Sequence, residues 1–341
     1  MMRRALTLAL TVVSANVFAE AAPVPSAPRP ALTAAKAAQA RLLDIAAVGN
    51  QLIVVGEAGV ILLSADGQNW QQMPSPVGTM LTRVKFTDAS NGWVLGYDAS
   101  ILQTQDGGKT WQLRHHDPKG RAIYDLEFLD AKHGIAVGGY GVVLETRDGG
   151  LTWSPQDSAL SRLGVHLNVL LKMTDGSLFV VGERGLMARS KDAGASWQAF
   201  NSPYAGSYFG AMQQGDKGVL IYGMRGNVFS AEDLNKCAAT DIAKWDPDAR
   251  QTVTAPGQIA ALGWRKIDNA SHESLFGALP LKGGALLLVG INGTALKLDD
   301  TRKELTPVKT PAAETLVKVM GYKGRIIAVG RRGIQDIGAL P

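Results

Sequence analysis

The sequence predicts an all-β fold, a seven-bladed β-propeller of four-stranded antiparallel blades, and three observations carry the prediction. A short apolar run closing on glycine recurs seven times, at 52–56, 93–96, 135–138, 178–182, 219–223, 285–290 and 325–330. The closing glycines stand 40, 42, 44, 41, 67 and 40 residues apart. A period near 42 belongs to a radial β-repeat, each unit one small sheet that cannot bury its faces alone. A near-identical turn, Asp-Gly-Gly-x-Thr-Trp or close to it, follows three of the runs.

The second unit shows the pattern. Residues 82–86 alternate as an inner strand does, 93–96 form a short buried strand, 100–104 return after a tight turn, and 111–114 make a more polar outer strand. Alternation, β-branched residues and Gly/Asp punctuation specify four antiparallel strands. The alanine-rich stretch 31–47 looks helical, although its later half occupies the first unit's inner-strand position. A second glycine recurs three positions after the closing one, at Gly59, Gly141, Gly185, Gly226, Gly293 and Gly333, with Ala99 as the exception. Tight hairpins need φ > 0 near the turn, which glycine adopts without steric cost. A phosphate cradle is disfavoured, because a nucleotide loop opens a helix and none of these does.

Two units depart from the rhythm. The 67-residue gap implies an insertion at about 231–262 in the third-to-fourth hairpin of blade five, a mixed polar stretch read as a surface excursion, with a docking element as the alternative. The seventh unit ends after 333–337 with no outer strand, leaving an open edge that needs a partner. The extended segment around 30–35 is the natural donor, so the last blade is expected to be closed by the N-terminal segment.

The third-to-fourth turns carry the sharper motif. Residues 104–111 are matched by 146–153; 190–197 keep the key positions, and 64–70 are a copy one residue short. The aspartates are Asp66, Asp106, Asp148 and Asp192; the tryptophans are Trp70, Trp111, Trp153 and Trp197. Such an aspartate accepts bonds from turn N–H groups that otherwise lack partners. The tryptophan folds back as an apolar plug between sheets. An aspartate repeated blade after blade cannot converge on one substrate, so the motif reads as structural rather than catalytic.

Bulk properties bound the function. Arg3 and Arg4, the apolar core 5–13 and the small-residue site 17–19 read as a secretory signal peptide over 1–19, with 20–341 as one exported, periplasmic propeller. Its removal leaves 33 basic against 30 acidic residues, too slight an excess for general nucleic-acid binding. No other stretch reaches eighteen apolar residues, so the mature chain is expected to be soluble, and it is read as a monomer. Cys237 is alone, which precludes an internal disulfide. His115-His116-Asp117 lacks a placed third ligand, so neither a metal nor a cofactor is expected.

The Asp-turns are identified as Asp-box, or BNR, repeats, seen in sialidases and many other propellers. The whole mature chain resembles the photosystem II stability/assembly factor family of seven-bladed propellers, through Gly92-Trp93-Val94-Leu95-Gly96 leading into Ile101-Leu102-Gln103-Thr104 and its Asp-box. His133-Gly134-Ile135-Ala136-Val137-Gly138 leads into the next. The resemblance implies a non-enzymatic exported scaffold that grips an envelope membrane protein or a transporter component. It also implies an arginine-rich surface patch.

In a four-stranded blade the second-to-third turns and the blade-to-blade loops emerge on one face, and the Asp-boxes on the other. The first face therefore collects Arg184, Arg225, Arg331 and Arg332, with Tyr140, Tyr204, Tyr208 and His116 nearby. Convergent arginines hold carboxylates bidentately. The competing reading is a set of solvated arginines in local ion pairs, for instance with Glu183. Two further functions stay open. One is a sialidase-like glycoside hydrolase using Arg184, Arg225 and Arg332 with Tyr140 or Tyr208 as nucleophile, although the Arg-Ile-Pro signature is missing. The other is a propeller whose central funnel holds a small acidic ligand.

Overall fold

In a computed structural model that describes residues 27–249 and 251–340, each repeat forms one antiparallel sheet, and seven sheets stand around an axis. The leader read over 1–19 lies outside the described residues. Blade two is typical: Leu81–Phe86 is innermost, followed outward by Gly92–Gly96, Ile101–Thr104 and Gln112–His115.

The closing glycine makes the blade possible. A Cβ on Gly182 would lie 2.1 Å from the His166 carbonyl oxygen, so only glycine lets the second strand approach the start of the first so closely. Opposite it the inner strand is bulged: Leu167 pairs with Gly182 and Val169 with Val181, leaving Asn168 unpaired. The same shift occurs in all seven inner strands. A bulge re-aims the side chains around it, and here it turns the third inner-strand residue toward the axis. Three residues after the closing glycine, the hairpin glycine takes φ > 0 as expected, for example Gly185 at +74°.

Burial is organised between blades. Seven apolar clusters each join two neighbouring sheets. Trp111, Trp153 and Trp197 are buried in the clusters between blades one and two, two and three, and three and four. Each ring N–H donates to a carbonyl of its own turn, Gly108, Gly150 and Gly194, at 3.0–3.2 Å. Trp70, in the shorter copy, is only partly buried, against the cluster between blades one and seven.

The ring closes differently from expectation. Among the described residues blade seven has three strands, Leu316–Tyr322, Arg325–Gly330 and Gly333–Ala339, and no N-terminal strand pairs with the last. The segment around 30–35 lies along blade one instead: Ala31 N–H donates to the Ser75 carbonyl and Ala34 N–H to Gln72 Oε1. The turn that follows, Ala37–Gln39, lies against blade seven, where a Cβ on Gly333 would stand 2.0 Å from the Ala38 carbonyl oxygen, but it adds no strand there. Closure comes from face-to-face packing of Leu42, Ile45, Leu52 and Val54 on Tyr322, Ile327 and Val329. The Tyr322 hydroxyl bridges the seam, its one proton shared between the carbonyls of Asn50 and Ala65. The outer strand of blade seven is blunted by the charge of Asp336 and by a bulge at Ile337, two devices that protect an edge.

The insertion is more than a surface excursion. Ala239–Asp241 pairs with Gln198–Phe200 as a fifth strand on blade four. Ile242 and Trp245 enter the cluster between blades three and four, while Leu234, Cys237, Ile259 and Trp264 enter the next. Blade six also gains a strand, Asp268–Asn269, parallel to Glu304–Pro307. No helix among the described residues is long and apolar enough to cross a membrane.

Two predictions follow from this packing. Tyr322→Phe loses the seam bond, at about 1 kcal/mol, so the urea midpoint should fall with an unchanged slope. Burial pushes the Cys237 thiol up to about 11; a thiol reagent at pH 8 should label unfolded protein and leave native protein unmodified over the same time.

Candidate functional site

The turns between second and third strands form one face. In six of them the second residue is Ala58, Asp98, Tyr140, Arg184, Arg225 or Asn292, at φ between 53° and 56°. This left-handed conformation costs a residue with a Cβ roughly 1–2 kcal/mol, and it stands the side chain out from the blade. Arg184 is exposed and paired with Asp248 of the insertion. Arg331 and Arg332 are each 71% exposed and share Glu314, at 3.8 and 3.3 Å. Arg225 makes no ion pair with a described residue; it lines a hollow with Lys266, Asn269, Ser271 and His272.

The other residues expected on this face divide. Tyr140 is 57% exposed, edge-on to His166 at 4.5 Å, with the Arg121 guanidinium 4.7 Å from its ring centre. His166 Nδ1 accepts the Tyr140 N–H, and the His166 backbone N–H donates to Glu183 Oε2, so this histidine ties two turns together. His116 is half-buried against the Ser100 hydroxyl. Tyr204 and Tyr208 do not belong to the surface set. Both rings sit in the cluster between blades four and five; Tyr208 is fully buried and its hydroxyl meets Ser202 at 2.8 Å. Burial raises the Tyr208 pKa far above the ordinary range, so it is ill suited as a nucleophile. The sequence places it at the start of an inner strand, where the side chain turns into the sheet interface rather than outward.

The structure also lines the central funnel, which the sequence left open as a small-ligand site, with residues that the sequence analysis does not single out. An axial cavity of about 510 Å³ is lined by inner-strand residues of every blade. On one side stand Asp44, Arg83, Lys85, Asp125, Glu127 and Lys318; on the other, Val169, Leu171, Phe209 and Phe276. Arg83 contacts Asp125 at 3.2 Å and Asp44 at 3.9 Å, and Lys85 lies 2.6 Å from Glu127. Burial pulls the Arg83 pKa down, but Asp125 and Asp44 outweigh that and hold it above the ordinary arginine value. Burial keeps Lys318 below the ordinary lysine value. The carboxylates also bind blade to blade: Asp44 accepts Val84 N–H at 2.9 Å and Asp125 accepts Leu170 N–H at 3.1 Å. The signal was present at the third inner-strand position, where Asp44, Arg83, Asp125 and Lys318 interrupt apolar strands.

The Asp-boxes occupy the opposite face. Asp148 accepts the Thr152 hydroxyl at 2.6 Å, the Thr152 N–H at 2.9 Å and the Thr146 hydroxyl at 2.8 Å. Asp106 and Asp192 repeat this, and Asp66 holds Gln68 and Asn69 N–H groups in the shorter copy. Every oxygen is committed within its own turn, as a structural part requires.

A seven-bladed ring stapled by such turns is a propeller of the Asp-box, or BNR, class. Its sequence matches the family model described as photosynthesis system II assembly factor YCF48 over residues 64–121 and 116–236, half of the chain, and the chain belongs to that family. A photosystem II assembly protein Ycf48 from Thermosynechococcus vestitus is 31% identical over 193 residues, covering 55% of this chain and 52% of that protein. The photosystem II stability/assembly factor HCF136 of Cyanidioschyzon merolae is 30% identical over 80 residues, 21% of this chain and 18% of its own. The chain thus spans about half the length of the first relative and less of the second. Among solved structures, YCF48 bound to a D1 peptide superposes with a TM-score of 0.63 at 16% identity, covering 89% of this chain and 94% of that one. YCF48 from Cyanidioschyzon merolae gives 0.64 at 15%, covering 88% and 96%. Both share the fold.

The Asp-boxes predict an acid limit. The Thr152 hydroxyl and N–H hold Asp148 down at about 2, below its ordinary 3.8. A depressed folded-state value means stability that is complete above the unfolded value and lost as pH falls through the folded one. The melting temperature should therefore hold from neutral pH to about 5 and drop between about pH 4 and 2, and Asp148→Asn should flatten part of that drop.

Proposed function

We propose that this chain is a non-enzymatic, exported binding protein that supports assembly or function of an envelope membrane protein or transporter component, gripping an acidic segment through its turn face. The observation that carries the reading is the set of exposed arginines on those turns, Arg184, Arg225, Arg331 and Arg332. Arginine forks match carboxylates bidentately. Asp248 and Glu314 already sit against three of these side chains. Exposed pairs of this kind are worth about 0.2–1 kcal/mol, so a partner's carboxylates displace them at little cost. Tyr140 with Arg121 adds the aromatic–arginine composition typical of interface anchors. Membership of an assembly-factor family supports the non-enzymatic reading, and a family relative solved with a bound peptide supports a protein ligand.

The test is cross-linked affinity purification of the tagged protein from its own envelope, beside an Arg184→Glu/Arg225→Glu/Arg332→Glu variant of matched melting temperature. Lys109→Glu, on the Asp-box face, serves as the control. A membrane protein recovered with wild type and control and reduced at least tenfold with the triple variant is the expected outcome. Equal recovery from all three would clear the arginines of any role.

A further inference from the structure

The polar groups of the axial cavity are not all satisfied, and the remainder has a sign. Asp125 and Glu127 are engaged by Leu126, Leu170 and Lys172 N–H groups and by Arg83 and Lys85. Three donors are left over. The Lys318 ammonium makes no hydrogen bond or ion pair with a described residue, although it lies within electrostatic reach of Asp44, Arg83 and Asp125. Arg83 uses Nε and Nη2, while its Nη1 has only Asp44 Oδ2 at 3.9 Å. Tyr222 is 4% exposed, lines the cavity, and its hydroxyl bonds to no described residue.

Tyr222 reaches the axis because blade five gives way. It pairs with Gly210, where a Cβ would sit 1.9 Å from the Tyr222 ring. Gly210 holds the third inner-strand position, the one that carries charge in blades one, two, three and seven. A side chain there would expel the phenol from its place, which has electrostatic reach to Arg83 across the cavity. Beside it the Phe209 and Phe276 rings, 5.1 Å apart, cover the apolar wall. The Arg83 and Lys85 side chains are 20% and 31% exposed, so the cavity communicates with solvent.

We propose that the axial cavity is a binding site for a small organic carboxylate, its head held by Lys318, Arg83 and Tyr222 and its apolar body against Phe209 and Phe276. Leftover donors call for an acceptor, and an unpaired ammonium and a phenol lining one half-apolar cavity are met by an anion better than by water. The volume is that of a small-ligand site, about 300–1,000 Å³. Asp44 Oδ1 has no partner either, so the same carboxylate chemistry has two sources: a simple acid, or an amino acid whose ammonium turns toward Asp44. This site is separate from the turn face and stands or falls independently of it.

The probes are phenylacetate, L-phenylalanine and uncharged phenylacetamide, titrated calorimetrically into the full protein and into Tyr222→Phe and Lys318→Met. Phenylacetate should bind one per chain, with the amide at least tenfold weaker. Tyr222→Phe removes a hydroxyl that bonds nothing in the fold, so it should melt as wild type and bind about tenfold more weakly; Lys318→Met should lose more. Phenylalanine binding more tightly than phenylacetate assigns Asp44 to the ammonium, and weaker binding assigns the site to simple acids. No heat and no rise in melting temperature with either carboxylate at about 10 mM, acid and amide binding alike, or variants binding as wild type would overturn the proposal.

Discussion

Everything in this molecule hangs on one close approach, the closing glycine of each second strand against the carbonyl at the start of the inner strand. With that contact at 2.0–2.3 Å from a hypothetical Cβ at Gly56, Gly138, Gly182, Gly223, Gly290 and Gly330, no other residue fits. The approach forces the inner strand to bulge, and the bulge sets which side chains look down the axis. The hairpin that follows emerges one residue later, in six of the seven blades with its second position in the left-handed region. Axial lining and turn face are thus two consequences of one backbone constraint repeated seven times.

Ring closure follows the same logic. A propeller can share a strand between its first and last blades, or it can pack them as it packs every other pair. Here blade seven meets blade one through the same kind of apolar cluster found elsewhere in the ring, and Tyr322 adds polar bonds to two blade-one carbonyls. The sequence reading assumed the strand-sharing solution because an edge needs protection. It did not weigh Asp336 and the bulge beside it, which protect the edge without a partner.

The architecture was legible because its signals are local and repeated: a glycine, a hairpin, an aspartate turn and a tryptophan, each with its own steric or hydrogen-bonding reason. The same locality explains what was not legible. Tyr208 looks like a loop tyrosine until the strand starting there turns its side chain into an interblade cluster. The polar composition of the insertion hid Ile242 and Trp245, whose burial depends on blade four supplying an edge for Ala239–Asp241. Asp44, Arg83, Asp125 and Lys318 lie far apart in sequence, and only the bulge register brings them to one level of one cavity.

The division of labour among these charges bears on chemistry. Asp44, Asp125 and Glu127 spend oxygens on the N–H groups of the next blade, where they do the work of sheet-to-sheet bonds. Carboxylates so committed are poorly placed to shuttle protons, and the same holds for the Asp-box aspartates on the far face. Among the described residues, what remains free is, Asp44 Oδ1 apart, cationic or donor in character: Lys318 and Tyr222 at the axis, Arg225 on the turn face, and surface arginines held only by exposed pairs. An architecture that uses its acids as structural ties leaves its donors uncommitted. Both proposed sites, at the axis and on the turn face, draw on these same donors, which is why each is proposed to take a carboxylate.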